Sequence, residues 1–249
     1  MNLASAIGRA VLGRRADTPK VITYVGAGAY NSGSTNSGPG YAIPTGVQPG
    51  DLLVLSVSFK NTGVDVSSVP GWTYQADRIG GIGVDGADSG SFRAYVYTRI
   101  ADGSEGASLT VTLSGSPICS QGQIVGFRKT AGTWAVTPAS AVEATPATTW
   151  DESFGSALPL VSGDYVVTAL AANGDVCAPN AAMLLNSAVP MTLIGNNSTT
   201  QGNDMSHGFN YLPITSQASS AVGISQAFSG TATANTPTGS VIALRLRLT

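Results

Sequence analysis

Charge and imidazole are what this chain has least of: Lys, Arg, Asp and Glu together make up 10% of its 249 residues, and His207 is the single histidine. Globular domains carry about 25% charged residues, so solubility here falls to Ser, Thr, Asn and Gln. Neutral polar surface of that kind suits a protein that works packed against others. A serine hydrolase would have to take His207 as its base, yet no GxSxG motif occurs. Asp204, Ser206 and His207 also crowd one strand edge, where successive side chains point to opposite faces.

The two cysteines, Cys119 and Cys177, have neither a CxxC spacing nor a nearby His. That excludes a zinc site and leaves one disulfide or two buried thiols. No apolar run approaches the roughly 18 residues of a membrane span. Between Lys129 and Arg245 there is no Lys or Arg, while Glu143, Asp151, Glu152, Asp164, Asp175 and Asp204 all fall in that gap. A phosphate backbone needs clustered cations, so the body of the chain is no nucleic-acid binder. Gly81-Ile-Gly-Val-Asp-Gly86 matches GxGxxG but runs into a strand pattern, without the helix N-terminus a pyrophosphate requires. Asp85 and Asp88, with Asp77 nearby, lack the twelve-residue calcium loop and read as a polar turn. No cofactor and no metal are expected, and no enzyme activity; Asp151-Glu152 is the one carboxylate pairing that a glycosidase reading would lean on.

What the chain has instead is glycine, 31 residues of it, and 43% hydrophobic content, ample for a core. Leu3, Ile7 and Val11 recur at helical spacing within NLASAIGRAVLGRR, beside Arg9, Arg14 and Arg15. This predicts a short helix or an arm over residues 1–19 that orders on docking to a partner protein. Arg9 interrupts any signal-peptide apolar core, so the chain is read as made in the cytoplasm and kept intact.

From Lys20 onward the period becomes two. Strands are predicted at 21–25, 52–59, 91–100, 107–114, 121–128, 164–171, 207–212, 221–228 and 239–248. In SFRAYVYTRI, Phe92, Ala94, Val96 and Ile100 alternate with Arg93, Tyr95, Tyr97 and Arg99, the mark of a half-buried antiparallel strand. A Gly-containing loop then predicts a hairpin with ASLTVTLS. The fold expected is all-β: an antiparallel two-sheet sandwich, jelly-roll-like, over residues 20–249, with a boundary near 130–160 as the alternative. Pro49-Gly-Asp-Leu-Leu-Val-Leu and Ser162-Gly-Asp-Tyr-Val-Val-Thr echo one another, each entering a buried strand through Gly-Asp.

Segments 131–158 and 173–206 read as long loops. The first holds Trp134, Trp150 and Phe154 near Asp151, an aromatic platform for a glycan or receptor unless these rings plug the sandwich ends. The succession GDLLVLSV, PGWT, AYVYTRIADGSEG, LTVTLSGS and QIVGFRK, over about residues 45–130, resembles a module of structural proteins of tailed bacteriophages and related gene-transfer particles. Such modules occur in tail fibres, head fibres and capsid decoration proteins. The resemblance implies a β-sandwich displayed on the virion surface, often as a symmetric homo-oligomer. The low-charge surface and fold precedent favour a trimer, and other virion proteins and host surface glycan are the partners expected of the arm and loops. The resemblance carries no active-site residue across, and residues 131–249 lie outside it. The alternative is a carbohydrate-binding module or lectin-like adhesin.

Overall fold

The Gly-Asp echo marks a duplication of the whole strand plan. The computed structural model describes residues 18–33, 39–81, 90–145, 147–155, 157–173, 183–199, 205–216, 222–227 and 238–249. Leu3, Ile7, Arg9, Val11, Arg14 and Arg15 lie outside the described residues, as do Asp85, Asp88, Cys177 and Asp204. The first ten strands are β1 (Ile22–Ala27), β2 (Asn31–Gly33), β3 (Tyr41–Ala42), β4 (Leu52–Lys60), β5 (Val66–Ser68), β6 (Thr73–Gly80), β7 (Phe92–Ile100), β8 (Ser108–Leu109), β9 (Thr112–Leu113) and β10 (Cys119–Lys129). They are followed by β11 (Trp134–Glu143), β12 (Thr149–Gly155), β13 (Tyr165–Asn173), β14 (Leu184–Leu185), β15 (Val189–Pro190), β16 (Thr192–Thr199), β17 (Met205–Pro213), β18 (Val222–Ala227) and β19 (Gly239–Leu248). No helix occurs among the described residues.

One large sheet runs β1-β10-β4-β7-β6, with β2 also on β10, and the other runs β11-β19-β13-β17-β16. Strand for strand these are the same order. The short pairs β3-β8 and β5-β9 flank the first sheet as β12-β18-β14-β15 flanks the second. All pairings are antiparallel, and among the described residues no strand before 130 pairs with one after 133. Even the irregularities recur: β6 is bulged between Tyr74 and Ala76, and β16 between Leu193 and Gly195.

Three cores separate the layers. The central one is a seam between the two large sheets, with Leu52, Val54, Val96 and Phe127 facing Val167, Phe209, Ile242 and Leu244. A second fills the space between β13, β19 and the β12-β18-β14 layer, and a third lies under β3, β5, β8 and β9. Each large sheet is therefore buried on both faces. That is why every residue of β4 is buried, and why Tyr95 and Tyr97 lie inside rather than on a wet face. Ile100, expected on the inner face of β7, runs past the core and is 54% exposed.

The hairpin expected after β7 does not form. Both edges of β7 are taken by β4 and β6, so the following strands cross to pair with β3 and β5. Nor is 131–158 a long loop. Its Ala/Thr/Pro composition conceals β11 and β12, and Pro138 is tolerated because β11 is an edge strand, where a missing N–H on the outer side costs nothing. Similarly, β14, β15 and β16 lie within 173–206.

The two Gly-Asp turns superimpose in chemistry. Gly50 and Gly163 have φ of 93° and 92°, the left-handed conformation that a type II turn requires at its third residue. The Asp51 carboxylate accepts from Gln48 N at 2.8 Å and from Arg128 through Nε at 2.9 Å and Nη2 at 2.7 Å. Asp164 accepts from Val161 N at 2.9 Å and from Arg247 through Nε and Nη2, both at 2.7 Å. Both carboxylates are buried and each ties the start of a central strand to the end of its neighbour. Asp51→Asn and Asp164→Asn are each expected to cost about 2 kcal/mol in urea unfolding, because the charge-assisted bidentate pair is lost. The losses should add in the double variant, since the networks share no residue; a markedly unequal pair would show that the turns are not equivalent.

Candidate functional surface

Neither tryptophan singled out as a stacking platform offers a face to solvent. Trp150 is 0% exposed and packs under Gly239, where a Cβ would come within 2.1 Å of its Cη2. Trp134 is 9% exposed, donates Nε1–H to Gly50 O at 2.9 Å and carries the Lys129 ammonium 5.8 Å from its ring. Phe154 is buried in the same core as Trp150. The rings point inward from β11 and β12, and the four-layer packing leaves them no open side. Asp151 alone of that group is exposed. Its neighbour Glu152 points to the other face of β12, so the two carboxyls cannot flank one bond. Burial, then Glu143 and Asp151, raise the Glu152 carboxyl above its ordinary value.

His207, expected as a surface or hydrogen-bonded histidine, is neither. It is fully buried in β17 on the seam, and among the described residues neither Nδ1 nor Nε2 has a hydrogen-bond partner. Burial pushes its pKa down to about 4. Phe209 lies edge-on at 5.3 Å and Tyr30 at 6.1 Å. Around it the seam turns polar: Tyr30 Oη donates to Gln121 Oε1 at 2.8 Å, and Gln121 Nε2 donates to Ser206 O at 2.9 Å and Ser58 Oγ at 3.2 Å. Cys119 is buried in the seam core.

Among the described residues, exposed aromatic and charged side chains gather on the outer face of the edge strand β6. Tyr74, 52% exposed, donates its hydroxyl to Asp77. Arg93 on β7 reaches Asp77 through Nε at 2.8 Å and also pairs with Asp65, to which Tyr95 Oη donates at 2.6 Å. The Arg93 guanidinium lies 5.0 Å over the Tyr95 ring. Burial alone would lift the Asp77 carboxyl, but bonds from Tyr74 and Arg93 hold it below its usual range. Burial pushes the Tyr97 phenol up to about 12. No spacing signals this group, because its members sit at 65, 74, 77, 93 and 95 and meet only through the β6–β7 register and the turn that enters β5. Its legible part was the Arg93/Tyr95 alternation.

The ends of the strands divide the molecule. Thr130 Oγ1 donates to Pro19 O and accepts from Val21 N, and Thr133 exchanges backbone bonds of 2.9 and 3.0 Å with Thr249. Residues 18–21, the crossing at 130–133 and Thr249 therefore gather at one end. Gly80, Asn173, Thr199, Met205 and Gly239 lie at the other. Comparison of the chain with protein-family models, with curated proteins and with solved structures finds no match.

Proposed function

We propose that this chain is a non-enzymatic structural protein of a tailed-bacteriophage virion, displayed on the particle surface as a capsid decoration, head fibre, tail fibre or tail-tip component. It is built from two β-sandwiches of jelly-roll plan and attached through residues 1–19. What supports the jelly-roll reading is strand order. With β15 and β16 counted as one strand that changes sheet, the second half sets β11-β19-β13-β17 opposite β12-β18-β14-β15. In chain order that is 1-8-3-6 facing 2-7-4-5, two interlocked Greek keys.

The observation that carries the functional reading is polarity. The segment with the apolar period Leu3, Ile7, Val11 and the basic Arg9, Arg14 and Arg15 joins the body at the end where the two halves cross over. The rest of the body is a charge-poor block whose single imidazole is locked inside. Such a body projects from its point of attachment and presents its far end and flanks. We include a homo-oligomer in the proposal, with other virion proteins as the partners of the arm.

Deleting residues 1–19 is expected to abolish incorporation into particles lacking their own copy, a drop of at least about tenfold for loss of one docking segment. The melting temperature of the body should stay within a few degrees of the full chain. Normal incorporation of the truncated chain would overturn attachment through the arm.

A further inference from the structure

We propose that the outer face of β6 around Tyr74 binds a neutral saccharide, an inference that rests on the displayed, host-facing reading above and names the ligand class of that display. Tyr74 presents the largest exposed aromatic surface among the described residues, 52% open. It is also held in place: its hydroxyl is spent on Asp77, and its ring meets Tyr97 at 5.8 Å and 70° and Tyr95 at 6.5 Å and 66°. A fixed, half-open ring loses little freedom when a ligand stacks on it, which is how aromatic side chains earn affinity at recognition sites.

The polar groups beside the ring define what the ligand can be. Arg93 lies between Asp65 and Asp77, whose side chains are 57% and 25% exposed, and Arg78 follows Asp77 on the strand. An anion would have to compete with two carboxylates for the guanidinium, and a metal ion would have to displace it. What remains on offer is a row of acceptor, donor and acceptor with spare lone pairs on both carboxylates. A ligand that reads such a row carries groups that donate and accept at neighbouring positions and bears no charge. A sugar has that rim of hydroxyls, together with a C–H face for the ring.

Room for it exists. Asp77 also lines a groove of about 500 Å³ that it shares with Arg78, the 50%-exposed Ile79 and Val142 of the second half. Groove volumes of about 300–1,000 Å³ accommodate small ligands. Since Val142 comes from β11, which packs against β6, the two halves build the groove jointly. A strand-adding protein partner fits less well. The bulge between Tyr74 and Ala76 breaks the regular edge, and Asp77 and Arg78 place charge on it, the devices by which sheet edges repel pairing.

The test is binding of the full chain to an array of neutral oligosaccharides built from glucose, galactose, mannose and N-acetylglucosamine, followed by titration of the best glycan. Tyr74→Ala is expected to weaken that binding about tenfold or more, and Asp77→Asn comparably, through loss of the stacked ring and of the acceptor. Tyr74→Phe, which keeps the ring but frees it from Asp77, should fall between. Unchanged thermal melting of Tyr74→Ala, expected for so exposed a residue, separates lost contact from lost fold. No binding to any glycan at millimolar concentration, or binding that Tyr74→Ala leaves intact, overturns the proposal. Particle incorporation does not involve Tyr74, so the saccharide site and the virion reading fail separately.

Discussion

Trp150→Ala is expected to destabilise the protein by about 3–5 kcal/mol, the range for emptying a buried indole. Trp150 is 0% exposed and stands between β12 and the start of β19, where Gly239 exists without a side chain because the ring and the Ala171 carbonyl occupy its space. Removing the ring leaves a cavity at the junction of the second large sheet and its outer layer, and the rigid backbone around Gly239 cannot collapse into it. Trp134→Ala should cost less, about 2–3 kcal/mol, since the ring sits at the rim of the seam and loses one hydrogen bond to Gly50 O. Urea unfolding followed by far-UV circular dichroism measures both. The same variants, studied under conditions where they remain folded, should bind oligosaccharide as the full chain does. A cost below about 1 kcal/mol for Trp150→Ala would contradict its burial and restore it as a surface platform.

Much of the strand plan was legible because it is local. LLVLSVSF, SFRAYVYTRI and SVIALRLRLT carry their period in the chain, and all three become strands of the large sheets. The Gly-Asp echo was legible too, since a left-handed glycine followed by a capping aspartate is written in adjacent residues. What the chain could not announce was the number of layers. Alternation shows that a strand has two kinds of face. It does not show that the face carrying Tyr95 and Tyr97 is covered by strands as short as Val66–Ser68 and Thr112–Leu113. The same blindness misplaced Trp134 and Trp150. An Ala/Thr/Pro-rich stretch looks like loop until its pairing with β18 and β19 is known, and those partners lie about 67 to 114 residues along. The group around Tyr74 was hidden for the reverse reason: each member is an ordinary polar or aromatic strand residue, and register alone makes them a site.

Acid should loosen the seam, and His207 sets the window. Its folded-state pKa is about 4, lowered by burial, against 6.5 for an exposed imidazole. Well above pH 6.5 neither state binds the proton and the residue contributes nothing to pH dependence. As pH falls below 6.5 the unfolded chain takes up a proton that the folded chain refuses, so stability drops until the folded state is protonated near 4. The loss amounts to about 2 kcal/mol at about pH 5 and levels off at roughly 3 kcal/mol in stronger acid. The titratable group facing the imidazole is Tyr30, whose phenol burial raises further, so it stays neutral throughout this range. Among the described residues no carboxylate acts on His207, for burial is the sole cause of its lowered pKa. Protonation therefore forces either water or separation between the two large sheets. His207→Phe, of similar size and lying against Phe209, should flatten the dependence of unfolding free energy on pH between neutrality and about pH 5. A variant that retains the full slope would place the acid-sensitive group elsewhere, whereas a flattened slope makes this buried imidazole the residue through which acidity parts the duplicated halves.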